Sequence, residues 1–164
     1  MRRRLGLAAV VALVIALASV TLASASSPKP KGSDDGDAVQ VIRLTTVPVQ
    51  QAELDLGEEG FSQGDQEVFT DNVFRDGKKV GQLTGFAQIT FVAEDRISVQ
   101  LVTTLTLPRG SITLQGAFTE ELAVGPTPTS IAITGGTGAY RTAHGQARVE
   151  VTETGSNLTL RLIL

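Results

Sequence analysis

Arg96-Ile97-Ser98-Val99-Gln100-Leu101-Val102-Thr103-Thr104-Leu105-Thr106-Leu107 is followed, after Pro108-Arg109-Gly110, by Ser111-Ile112-Thr113-Leu114-Gln115-Gly116-Ala117-Phe118. Ile97, Val99, Leu101, Thr103, Leu105 and Leu107 recur at every second position, and so do Ile112, Leu114, Gly116 and Phe118. The residues between them are largely Ser, Thr and Gln. In an extended chain successive side chains point to opposite faces, so this period of two marks strands with one apolar and one polar face. Pro-Arg-Gly is too short a link for a crossover, so the two strands pair antiparallel.

The same pattern extends in both directions. Leu158, Leu160, Leu162 and Leu164 alternate at the C-terminal end. Upstream, Val, Ile, Thr and Phe runs are separated by turn-forming Gly, Pro and Asp. Asp76-Gly77 is a tight hairpin signal, because glycine takes positive φ without steric cost. Eight strands are predicted, over about 38–46, 66–74, 80–92, 96–107, 111–121, 130–134, 145–153 and 157–164. After residue 38 no window sustains a helical apolar stripe. An antiparallel sheet of this size without covering helices must close on itself or stack as a sandwich. Eight strands suffice for a barrel filled by side chains or holding one small ligand.

The N-terminus reads differently. Arg2, Arg3 and Arg4 precede an uncharged apolar run from Leu5 to Ala23, ending in the small-x-small triplet Ala23-Ser24-Ala25. This is the pattern of a secretory signal peptide over residues 1–25, helical in its apolar part. The expected location is secreted or extracellular, with no membrane association once the signal is cleaved. The alternative is an uncleaved N-terminal membrane anchor, since the run approaches the roughly 20 residues that span a bilayer. Residues 26–37 (SSPKPKGSDDGD) have no apolar anchor and read as a disordered linker. The folded domain is expected over residues 38–164.

Composition removes much chemistry. The 164-residue chain has no cysteine and one histidine, so disulfides, thiolate metal sites and histidine clusters are excluded. Its 17 acids against 14 bases do not form the basic face that nucleic acid requires. A Ser-His-Asp hydrolase needs three groups held in contact, and the chain's one histidine leaves a single candidate for its base. Gly135-Gly136-Thr137-Gly138 precedes no helix and reads as a tight turn rather than a phosphate loop.

Gly64-Asp65-Gln66-Glu67-Val68-Phe69-Thr70-Asp71-Asn72-Val73-Phe74, continuing through Asp76-Gly77-Lys78-Lys79-Val80-Gly81, resembles the second-strand hairpin of allene oxide cyclases. Leu114-Gln115-Gly116-Ala117-Phe118 and Ile131-Ala132-Ile133-Thr134-Gly135-Gly136-Thr137-Gly138-Ala139-Tyr140 resemble later segments of the same family. The second of these is also similar to plant dirigent proteins. The resemblance implies a closed eight-stranded antiparallel barrel with an apolar cavity at one end, and assembly into a dimer or trimer. Outward Val102 and Ile163 would suit such an interface. It also implies a cofactor-independent isomerase or cyclase that steers the conformation of a small hydrophobic substrate.

The family's lumen positions fall on Asp71, Ala87 and Phe118, where relatives carry an asparagine, a cysteine and a tyrosine. Those departures argue against plant-type allene oxide cyclase activity. Alternation from these three positions adds Glu67, Phe69, Ile89, Phe91 and Leu114 to the expected ligand-binding wall, together with Gly85 and Gly116. A carboxyl in such a lumen has its charged form disfavoured and can act as general acid or base. Asp71 is therefore a candidate catalytic residue. Tyr140 is the other, either presenting its hydroxyl at the cavity rim or plugging a barrel end. No metal or cofactor is expected. The non-catalytic alternative is a secreted barrel that binds a small molecule or self-associates.

Overall fold

The computed structural model describes residues 39–57 and 59–164. The predicted signal peptide and linker lie outside the described residues. Eight strands run in order: β1 (Gln40–Leu54), β2 (Gln66–Arg75), β3 (Lys78–Val92), β4 (Arg96–Leu107), β5 (Gly110–Glu121), β6 (Thr129–Gly136), β7 (His144–Thr152) and β8 (Gly155–Ile163). One short 3-10 turn, Gly138–Tyr140, joins β6 to β7. Each strand pairs antiparallel with the next, and β8 returns to β1, giving a closed barrel. Of the two architectures left open by periodicity, closure is therefore the outcome.

The inward rows meet in register across the strands. Val73, Leu105, Ile112, Leu160 and Leu162 are wholly inaccessible to solvent and fill one end of the barrel. Burial of each such side chain stabilises the fold by roughly 1.5–3 kcal/mol. Ile42, Leu44, Ile133 and Ala147 join the same cluster. This base is closed from below by the β4–β5 and β6–β7 turns. Thr137 N–H donates to Ser111 O at 2.8 Å, Ala139 N–H to Arg109 O at 2.8 Å, and Ser111 N–H to Thr137 Oγ1 at 3.0 Å. Gly138 sits at φ 58°, and a Cβ there would lie 2.4 Å from Arg109 O. The glycine run is thus a turn clasped against its neighbour.

The strands differ from prediction mainly at the other end. β1 continues through Pro48 and the polar Gln50-Gln51 to Leu54, eight residues beyond its predicted stop. Proline lacks a ladder donor, and the register shifts between Pro48 and Gln50. A second shift lies between Ile89 and Phe91 in β3. Bulges of this kind bend and twist a strand and are common at barrel rims.

Candidate functional site

Above the packed base the barrel is hollow. A cavity of about 270 Å³ opens at the end where β1 finishes and β2 begins, beside the β5–β6 segment and the β7–β8 turn. Its walls are apolar for the most part, with Phe69, Leu83, Leu101, Leu114, Phe118 and Leu158 among them. The alternation within β2 puts Glu67, Phe69 and Asp71 on this wall, with Val73 below them in the base. Gly85 lies opposite Phe69. A Cβ there would stand 2.3 Å from Val102 O, so that close strand approach requires glycine.

Three buried carboxyl groups interrupt the apolar wall. Glu67 is 2% exposed, Asp71 8% and Glu120 9%. Each keeps one buried oxygen without a hydrogen-bond partner: Glu67 Oε1, Asp71 Oδ1 and Glu120 Oε2. Burial first, then the negative charges of Glu53 and Asp71, push the Glu67 carboxyl up to about 7. Glu53 is its direct neighbour across the β1–β2 ladder. Burial also raises Asp71, partly offset by the nearby Thr46 hydroxyl. Burial alone brings Glu120 to about 6. Glu67 and Glu120 can therefore hold or move a proton near neutral pH, where ordinary carboxylates cannot.

Asp65 is a contrasting carboxyl. It is 4% exposed, but its two oxygens accept the N–H groups of Leu56 and Ser62, each at 2.8 Å. Gly64 N–H donates to Ile89 O and Ile89 N–H to Asp65 O, both at 2.8 Å. These bonds hold the β1–β2 segment over one side of the mouth. Phe61 packs from it onto Ile89, Ile97 and Val99.

Of the nine predicted site residues, Glu67, Phe69, Asp71, Ala87, Leu114 and Phe118 line the cavity. Three do not. Ile89 points inward but is 1% exposed beneath the Phe61 flap, in a packed cluster rather than on the wall. Phe91 is 49% exposed and pairs with Ser98, because the bulge after Ile89 reverses the faces of the strand end. Tyr140 lies at the opposite, sealed end, where it packs on the base. It is the barrel plug and cannot reach a molecule in the cavity.

Glu120 was missed by the sequence reading, although its signal was present: it follows Phe118 by two residues on the same strand and so shares its face. His144 is exposed, its Nδ1 lying 3.1 Å from Thr142 O, away from the cavity. Among the described residues, no three His, Cys, Asp or Glu side chains converge to hold a metal ion.

This geometry defines the class: closed eight-stranded antiparallel barrels with a packed base and an internal cup. A family model, the allene oxide cyclase barrel-like domain, matches residues 45–164, and the chain belongs to that family. No match was found among curated proteins. Among solved structures, a pyocyanin demethylase is 30% identical with a TM-score of 0.68, over 75% of this chain and 99% of that one. The Diels-Alderase AbmU from Streptomyces koyangensis is 19% identical with a TM-score of 0.61, over 75% of this chain and 64% of that one. A pterocarpan synthase dirigent protein is 18% identical with a TM-score of 0.52, over 79% of this chain and 95% of that one. The last two likenesses are of fold.

Proposed function

We propose that the cup binds a small hydrophobic molecule and acts on it without a cofactor, as an isomerase or cyclase that steers substrate conformation. The observation that carries this reading is an apolar cavity of about 270 Å³ holding three carboxyl groups, each with an unpartnered buried oxygen. Small-molecule pockets typically start near 300 Å³ and combine apolar walls with a few convergent polar groups. Holding a flexible substrate in a near-attack geometry contributes up to roughly 7–11 kcal/mol to lowering a barrier. Glu67 and Asp71 then supply proton transfer or fix a polar end of the substrate. Barrels of this fold include proteins named as Diels-Alderases and as a pterocarpan synthase.

The 30% identity to a pyocyanin demethylase favours a second reading, demethylation of pyocyanin or a compound like it. The first experiment is mass spectrometry of small molecules that co-purify with the protein, followed by incubation with those molecules and, separately, with pyocyanin. An altered product lost in Asp71→Asn and Glu67→Gln supports an enzyme. A rearranged product of unchanged mass supports the first reading, and loss of a methyl group the second. A bound molecule returned unaltered supports the non-catalytic binder.

Export is part of the same proposal: residues 1–25 are removed, and the mature chain begins near Ser26. Intact mass of the exported protein tests it, and a chain retaining Met1 in the membrane fraction supports the anchor instead. The barrel is further proposed to form a dimer or trimer, which light scattering resolves.

A further inference from the structure

The cup is one-sided in charge. Glu67, Asp71 and Glu120 lie on its wall, and Glu153 joins them from the β7–β8 turn. Among the described residues, no lysine, arginine or histidine lines it. The asymmetry extends along the barrel axis. The turns and rim around the mouth carry Asp55, Glu59, Glu94, Asp95, Glu121 and Glu153, against Arg96. The turns at the sealed end carry Arg75, Lys78, Lys79, Arg109 and Arg141, against Asp76. A cleft lined by one sign of charge between low-dielectric walls focuses the field and draws ligands of the opposite sign.

Resting on the lumen-binding reading above, we infer that the cup selects a cationic molecule, one bearing a protonated or quaternary nitrogen on an aromatic or apolar frame, and excludes carboxylates. The unpartnered oxygens of Glu67, Asp71 and Glu120 are buried acceptors waiting for positive charge or N–H donors. Because the three acids do not converge as a metal site does, they suit a charge spread over an organic frame. Phe69 and Phe118 on the same wall offer ring faces to a desolvated cation. An anion entering the cup meets repulsion from every ionised wall group and no compensating base. Protons are coupled to entry. Glu67 faces Glu53 from β1 and Asp71 from its own strand, and a cation beside it restores its charged form and expels its proton.

The test is fluorescence and calorimetric titration of the mature protein at pH 7 with three matched two-ring probes. They are 1-methylquinolinium (cation), 1-methylnaphthalene (its neutral isostere) and 1-naphthoate (anion). The expected order is the cation at least about tenfold tighter than the isostere, with no measurable binding of naphthoate. Calorimetry in buffers of different ionisation enthalpy is expected to show protons released with the cation and none with the hydrocarbon. Glu67→Gln with Asp71→Asn abolishes the preference and the proton release while retaining 1-methylnaphthalene. Equal or tighter binding of the hydrocarbon or of naphthoate overturns the inference and leaves the lumen reading intact. Failure of all three probes to bind overturns both.

Discussion

The two halves of the barrel are built from the same strands and solve opposite problems. In the base, the inward positions are aliphatic and closely packed, and the turns below are tied together by backbone and threonine hydrogen bonds. In the cup, the same alternation presents Glu67, Asp71 and Glu120 beside Phe69 and Phe118, around empty space. On β2 the change takes two residues, from Val73 to Asp71. The base recovers hydrophobic free energy from nearly every inward side chain. The cup gives some of it up, keeping carboxyl groups buried without full partners. That division is expected of a scaffold whose rigid half positions a strained, polar half.

The largest contrast is predicted for cavity-forming substitutions. Leu160→Ala empties a wholly buried position in the base and is expected to lower stability by about 2–5 kcal/mol in chemical denaturation. Leu101→Ala on the half-buried cup wall enlarges a cavity already present, so its loss is expected to be under half of that.

Glu67→Gln acts in the reverse direction. The folded carboxyl has a pKa of about 7, against 4.5 as its ordinary value, so the native state holds this proton more tightly than the unfolded state. Wild-type stability therefore declines as pH rises from about 4.5 to about 7, and is lowest for this group above that window. The glutamine variant is expected to flatten the slope and to gain roughly 1–3 kcal/mol at pH 8, while losing whatever turnover the cup performs. Denaturation midpoints across pH 4 to 8 check it.

Gly138→Ala strains the clasp beneath the base. With positive φ and Arg109 O in the way, a loss of roughly 1–3 kcal/mol is expected, with ligand binding unchanged in the folded fraction. Smallest of all are Tyr140→Phe and Phe91→Ser. Neither residue reaches the cavity, and both variants are expected to keep wild-type ligand affinity, with Phe91→Ser within about 0.5 kcal/mol in stability. A lost affinity in Tyr140→Phe would contradict the placement of this residue at the sealed end.

Much of this architecture is legible in the sequence, because its determinant is a period of two that the chain keeps faithfully in β4, β5 and β8. The β4 limits, Arg96–Leu107, match the predicted ones. What stays hidden is the effect of one extra residue. A bulge leaves no compositional mark, yet those at Pro48/Gln50 and Ile89/Phe91 reverse the faces of two strand ends at the rim. They account for the missed extension of β1 and the misplacement of Phe91. The Ile89 error has a different origin: alternation reports which side a residue faces, not whether a loop returns to cover it, as Phe61 does. Tyr140 shows that proximity to a glycine motif does not say which end of a barrel the motif closes. Glu120 needed no new information, only the parity of Phe118 carried one step further.

Ligand chemistry in the cup requires that its acids sit in an apolar hollow rather than in bulk water. Carbon-13 NMR titration of the Glu67 side-chain carboxyl in the ligand-free protein decides this directly. A midpoint of about 7 is predicted, falling when 1-methylquinolinium is added. A midpoint near the ordinary 4.5, indifferent to the probe, would mean that water fills the site and that the cup is not what the fold suggests.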